Sequence, residues 1–333
     1  MGIMKSTKKF NLALLIAIPL IFAGYFLSVY YFYFDNKNDS LSVETYFDYK
    51  EALADSIETN KILFTSGSNN FLGIRAYQVE DAFNVPSVNM AIHAGLRAEY
   101  ILDRLKKSLK RGDMAILPFE YSNFGYTGEP SITLNKYLIS YDKEYLNSHY
   151  DPIDRLKILS SISVLDLAHS IVVGTDTKEV AEKKVDYLKN INSKGDMLNM
   201  HEHDSLKTKK TPFKLPAPIT LETKGLMAIK EFSSYCKENG IHLFVTFPNL
   251  IKEKAYSTEK YQSYFNFLSS YFKKNKIAVI GTPEGAMYPK SLFFDSEYHL
   301  ISKGSDIRTA DFIKTMRQNK AVISTITAMR TAQ

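Results

Sequence analysis

The chain is nearly without cysteine. Its one thiol among 333 residues, Cys236, excludes an internal disulfide, so a domain facing an oxidising compartment must be held together by its core. No histidine or basic pair stands beside Cys236 in the helical stretch "LMAIKEFSSYCKENG", and a buried inert thiol fits that setting better than a nucleophile. Surplus charge is scarce too. The formal net charge is +6, and Lys5, Lys8 and Lys9 supply half of it; the rest of the chain has no global electrostatic support for binding nucleic acid. There is no internal repeat and no convincing metal-ligand spacing. The string "HEHD", His201, Glu202, His203 and Asp204, lacks further ligands and reads as a solvated loop. The chain does have apolar weight, 45% hydrophobic and 13% aromatic, enough for one large core with an appendage.

The longest apolar run comes first. In "FNLALLIAIPLIFAGYFLSVYYFYF" positions 12 to 34 carry no charge, and at 1.5 Å per residue such a run crosses a hydrocarbon layer of roughly 30 Å. The lysines before it predict a cytoplasmic N-terminus, and the aromatic cluster from Tyr30 to Phe34 suits the far interface. Pro19 is tolerated inside such a helix. A cleaved signal peptide shares this layout, but the run exceeds the usual apolar region of one and no Ala-x-Ala site followed by polar sequence ends it. The expectation is therefore a single-pass inner (cytoplasmic) membrane protein. Residues 1–35 are the stub and anchor, and residues 36–333 form a domain facing the periplasm or the exterior.

After the anchor, 36–55 reads as a polar exit followed by a short amphipathic helix. "KILFT" (61–65) is a short strand ending in the small-residue turn "SGSNN", and "FLGIRAYQVEDAF" is a helix. A second strand, "VPSVNM", precedes "AIHAGLRAEYILDRLKKSLKRGD", where Leu96, Tyr100, Ile101, Leu105 and Leu109 recur at helical spacing. "MAILPFEY" is a third strand. This alternation predicts a parallel sheet wrapped by helices. Across 122–222 the rhythm fades, and the segment reads as an insertion or cap containing a helical stretch and the loop "MHEHDSLKTKKTPFKLPAP". The alternation then returns with a helix at 223–239, strand "IHLFVTF", a helix at 257–274, strand "IAVIG" and a last helix. The final "ITAMRTAQ" reads as frayed.

Reactive groups in an open parallel sheet collect at the carboxyl ends of strands. Ser68 stands there, after the first strand, among small residues that permit a tight turn; it acts as a nucleophile only if a base can take its proton, and is otherwise a helix cap. Of seven histidines, His299 follows the last strand and reaches the same edge. Asp295, four residues earlier, is close enough to fix its tautomer, which completes the logic of a serine, histidine and acid triad. His93 either lines the pocket or is a hydrogen-bonded loop histidine. His242 reads as structural, and the run "KTKK" with Lys214 as a solvated loop or a contact for anionic headgroups. Arg308 and Thr309 read as packing or local pairing. Arg75 could pair with an acidic residue or with a substrate carboxylate.

On these residues the chain resembles the SGNH (GDSL-type) hydrolase superfamily, more narrowly its membrane-anchored bacterial branch associated with cell-envelope polysaccharides, where relatives act as O-acyltransferases or esterases. "ILFTSGSNNFLG" is similar to the first block of that family, "VPSVNMAIHAG" to the second and "LFFDSEYHLISKG" to the last. The resemblance implies a flavodoxin-like three-layer α/β/α sheet with one transmembrane helix and a helical insertion. It implies catalysis by Ser68, His299 and Asp295, with an oxyanion hole from Ser68, Ala91 and Asn123. Asn69, Asn89, His93, Glu120 and Tyr121 are candidate substrate contacts. The implied reaction is transfer or removal of an acyl group, acetyl foremost, on a cell-surface polysaccharide. The acyl donor could come through a membrane acyltransferase partner, and no metal, nucleotide or other cofactor is required.

Three departures stand out. Ala91 replaces a glycine, Asp295 lies four rather than three residues before His299, and "LPFEYSNF" stands where a Gly-x-Asn-Asp block belongs. Loss of one oxyanion donor costs about 2.7–4 kcal/mol of transition-state stabilisation. The alternative expectation is an inactive scaffold of the same fold that binds glycan or assembles an export complex.

Overall fold

The computed structural model describes residues 2–33, 40–173, 177–199 and 212–331. The chain forms two compact units, one of residues 1–44 and 132–185, the other of residues 45–131 and 186–333.

In the first unit, the helix Gly2–Ser28 continues into a π-helical turn, Val29–Tyr33. Lys9–Tyr31 is long and apolar enough to cross a membrane, with a mean hydropathy of 2.4. Most of its side chains face outward. The other helices that lie wholly in this unit are Ile132–Ser140, Lys143–His149, Pro152–Ser160 and Val164–Val173. Local chemistry sets the boundaries. Asp151 caps the third of these helices by accepting from the N–H groups of Ile153 and Asp154, and Pro152 occupies its first turn, where a missing N–H costs nothing. Side-chain bonds hold the helices together. Lys136 pairs with Asp166 at 2.8 Å, Tyr137 donates to Glu44 at 2.5 Å, and Asn135 donates to Ser161 at 3.0 Å.

The second unit is α/β. Five short strands, β1 (Ile62–Phe64), β2 (Ser87–Asn89), β3 (Met114–Leu117), β4 (His242–Thr246) and β6 (Ala278–Ile280), pair in parallel in the order β2-β1-β3-β4-β6. Strands buried on both faces read as apolar runs rather than alternations, which is why "ILF" and "MAIL" suffice. One face of the sheet carries Ile62, Phe64, Met114, Ile116, Phe244 and Ile280. They pack on the helices Ala76–Phe83, Ser302–Gln318 and Lys320–Thr331. The helices Arg97–Ser108, Lys224–Asn239 and Glu259–Lys274 supply the other layer. Two further strands, β5 (Leu250–Ile251) and β7 (Met287–Tyr288), form a separate two-residue ladder. They are too short to show any period in the sequence.

Two sequence expectations change. The stretch expected to fray forms part of a helix, Lys320–Thr331. Asn319 caps the last helix by accepting from Ala321 and Val322, and Val322, Ile326 and Met329 form a stripe that joins the core. The helix expected over "FLGIRAYQVEDAF" is broken into a single turn, Ser68–Phe71, and the helix Ala76–Phe83. The break frees the Leu72 carbonyl for the contact described next.

Candidate active site

The chain leaves β1 for β2 on one side and then crosses to β3 on the other, so the loops after β1 and β3 diverge. Such a switch point opens a crevice at the carboxyl ends of the strands. Ser68 lies on the first loop and Glu120 on the second.

Ser68 opens its one-turn helix half-exposed. Its Oγ lies 2.7 Å from Nε2 of His299, and His299 Nδ1 lies 2.6 Å from Asp295 Oδ1. A carboxylate only accepts, so Nδ1–H donates to Asp295 and Nε2 is left to accept from the serine hydroxyl. Both acid and base come from one hairpin. Phe293 and Leu300 bridge in antiparallel fashion, Phe294 N–H donates to His299 O at 2.8 Å, and the Ser296 hydroxyl accepts from the N–H groups of Tyr298 and His299. That serine-closed turn occupies the extra residue, which is how a spacing of four brings Asp295 under the ring.

Four bonds register this hairpin and the helix that follows it against the serine turn. Leu72 O accepts from Leu300 N–H at 3.2 Å and from the Ser305 hydroxyl at 3.1 Å. Buried Asn249, just past the end of β4, donates to Tyr298 O and to Asn69 O. Sequence reading overlooked Asn249; an asparagine in "FPNL" at a strand's carboxyl end was the available signal.

Glu120 is buried, and its carboxylate accepts from Gly67 N–H (3.1 Å), Asn69 N–H (2.9 Å) and Asn123 Nδ2 (3.2 Å). It clamps the two amides on either side of Ser68 rather than facing a substrate. Gly67 is required by proximity: a Cβ there would fall 2.4 Å from Ala94 Cα, 2.5 Å from Ala94 N and 2.5 Å from Glu120 Oε1.

The expected oxyanion donors need correction. Ala91 is buried and its N–H donates to Asn89 Oδ1 at 3.1 Å, so it is already engaged. Asn123 is buried as well, and its amide group donates to Glu120 and to Ala94 O. By contrast, among the described residues the N–H groups of Ser68 and Ala94 have no acceptor, and both residues are partly exposed. Ala94, three residues beyond the expected position, therefore stands as the second available donor beside the serine turn.

Three other candidates prove internal. Asn89 is a hub: its Nδ2 donates to Asn70 O and to Asp196, while its Oδ1 accepts from Ala91 and Asn70. Asn69 is fully buried, with Nδ2 spent on Pro118 O and the Ser66 hydroxyl. Tyr121 lies in an aromatic cluster, stacked on Phe213 at 4.4 Å between centroids and pushed well above the ordinary tyrosine range by burial. Short polar side chains in a loop can serve either backbone or ligand, and here backbone claims them.

His93 keeps both of its sequence readings in one residue. Its Nδ1 accepts from Gly95 N–H at 3.0 Å, yet the residue is exposed beside Ala94. Its pKa is lowered chiefly by desolvation and further by His299, against the opposing influence of Glu120. Below the loop, fully buried Lys50 donates to Ala91 O at 2.6 Å and sits over the Phe71 ring. Burial holds its pKa well below the usual lysine value, with Asp196 opposing. Asp196 caps the helix Ala76–Phe83 by accepting from Ala76 and Tyr77 N–H groups.

The remaining residues lie outside the site. Arg75 pairs with Asp306 at 2.7 Å and donates to Met197 O and Ser302 O; its own N–H donates to Thr309. Arg308 is buried and donates to Phe247 O. His242 begins β4, at the opposite end of the strands from Ser68. Cys236 is buried, and its thiol is pushed up to about 12 by desolvation. The strings "HEHD" and "KTKK" fall outside the described residues. Among the described residues no group of three His, Cys, Asp or Glu side chains could hold a metal ion.

No family model matches the chain, and no curated protein matches it.

Proposed function

We propose that this is a membrane-anchored serine enzyme of the SGNH (GDSL-type) kind, with a flavodoxin-like sheet, that transfers or removes an acyl group, most simply acetyl, on a cell-surface polysaccharide. The observation that carries the reading is the continuous relay from Ser68 through His299 to Asp295, at 2.7 and 2.6 Å. Ser68 attacks the acyl ester as His299 takes its proton, Asp295 steadies the imidazolium, and the proton returns to the leaving oxygen. The N–H groups of Ser68 and Ala94 hold the oxyanion. A sugar hydroxyl then completes transfer, or water completes hydrolysis; the donor reaches the serine directly or through a membrane acyltransferase partner. The N-terminal lysines put the short end in the cytoplasm and the α/β unit outside.

A second reading, an inactive glycan-binding or assembly scaffold, is favoured by Glu120, an acceptor standing where the family carries a side-chain donor. One experiment separates the two. The full chain in detergent should be labelled by a fluorophosphonate probe and should turn over p-nitrophenyl acetate, and Ser68→Ala should lose both. If the wild-type chain is inert in both assays yet retains polysaccharide binding, the scaffold reading stands and the enzyme does not.

A further inference from the structure

We infer that the helix Val164–Val173, with the Pro152–Ser160 helix before it, lies in the interface of the same bilayer that the N-terminal helix crosses, its apolar face sunk into lipid. The inference rests on the anchor reading of that first helix.

The Val164–Val173 helix is turned inside out. Val164, Leu165 and Val172 are 72%, 82% and 83% exposed, and with Ala168 and Ile171 they fall on one face by their i, i+1, i+4, i+7, i+8 spacing. The opposite face buries Leu167 and Ser170 and ties Asp166 to Lys136. A helix facing water would put its charges out and its valines in. On the neighbouring helix Ile153 and Leu156 are exposed as well. Exposed apolar side chains gathered on one helix face in this way mark an interaction site, and Lys157, exposed beside Ile153 and Leu156, is long enough to carry its charge out to the headgroups.

Its attachment to the span identifies the occupant. The Val164–Val173 helix packs on the Val29–Tyr33 turn that ends the transmembrane helix. The Tyr25 hydroxyl donates to Leu159 O at 3.1 Å and to Ile162 O at 2.7 Å, fixing the connection between the two helices against the span itself. Tyr25 precedes Tyr31, the last residue of the span, by six positions, about 9 Å along the helix axis. A helix lying in the membrane plane buries its apolar face about 5–10 Å into the headgroup and acyl boundary. The two depths agree. The Tyr25 bonds also satisfy carbonyls at a helix end, which hydrocarbon could not do. Exposed Leu20, Ile21, Leu27 and Tyr31 on the span extend the apolar surface. A protein partner would need a matching face, whereas lipid already surrounds the span to which these helices are fastened.

The chain has no tryptophan, so one introduced indole is a clean reporter. Full-chain Leu165→Trp and Val172→Trp would be reconstituted in phosphatidylcholine vesicles, with and without brominated acyl chains, beside Phe22→Trp in the span. The expected result is loss of emission at 165 and 172 in brominated vesicles and little loss on adding iodide. Quenching by iodide but not bromine at both sites, with Phe22→Trp quenched by bromine, overturns the inference and leaves the anchor standing. Escape of Phe22→Trp from bromine overturns the anchor and the inference together. Protection of 165 and 172 from both quenchers means that protein covers the face, and this also overturns the inference.

Discussion

Leu300 donates its N–H to the carbonyl of Leu72 at 3.2 Å. The bond joins the residue after His299 to the end of the turn that Ser68 begins, and so ties together a serine and a histidine 231 residues apart in sequence. The distance from hydroxyl to imidazole is thus set by main chain, with Asn249 as a second brace.

That brace can be removed. Asn249→Ala leaves every reacting group in place but frees Tyr298 O and Asn69 O, and a misplacement of about 1 Å costs on the order of 10²-fold in rate. Turnover of p-nitrophenyl acetate should fall by roughly 10–10²-fold while His299→Ala abolishes it. Unchanged turnover in Asn249→Ala would show that the Leu72 contacts suffice.

Asp295→Asn should lower turnover by roughly 10²–10⁴-fold, because an amide can hold the imidazole in the wrong tautomer. Asp295 is about half exposed, so water can partly replace it, and the loss belongs toward the lower end of that range. Asp295→Ala recovering most of the activity lost in Asp295→Asn would support the tautomer argument; equal losses would contradict it.

The two alanines of the second loop separate cleanly. Ala94→Pro deletes an N–H with no acceptor among the described residues and should cost about 10²–10³-fold in turnover, a loss larger than any accompanying fall in Tm explains. Ala91→Pro deletes one that satisfies buried Asn89, and should destabilise by about 1–3 kcal/mol. Thermal unfolding alongside kinetics reads both effects, and a reversed pattern would return the donor role to Ala91.

Lys50 makes stability depend on pH. Its pKa is lowered in the folded protein, so between that value and the ordinary 10.5 the unfolded chain holds one more proton at this site. Stability therefore rises with pH across this window, by up to about 1.4 kcal/mol per unit, and is lost again as pH falls through the folded pKa. Lys50→Met keeps the stem and loses the ionisation. Denaturant unfolding from pH 7 to 10 should show the wild type gaining on the variant as pH rises. Parallel curves would mean that the ammonium is accommodated.

Much of this fold was legible from short apolar runs separated by helical periodicity, since both signals follow from burial of each strand between two helical layers. The meeting of Ser68, Asp295 and His299 was legible because the residue types were right and the strand ends converge on one edge. The available amide was not legible. Ala91 and Ala94 sit three apart in an irregular loop without a period, and only the Asn89 side chain decides which N–H is occupied. Asn69, Asn89 and Tyr121 were misread for a related reason: whether a polar group serves the backbone or a ligand depends on tertiary neighbours that local sequence does not encode. The Lys320–Thr331 helix had its signals in plain view, the Asn319 cap and the Val322, Ile326, Met329 stripe.

The bare main chain at Gly67, pressed against Ala94, leaves the floor of this crevice without slack. Two of the three atoms nearest a Cβ at this position belong to the Ala94 main chain and the third to the buried Glu120 carboxylate, so a side chain at 67 could enter only by displacing backbone. Room for a side chain at position 67 is then a property of loop length, and creating it calls for an inserted residue in 91–95, where point substitutions would leave the Ala94 main chain where it is.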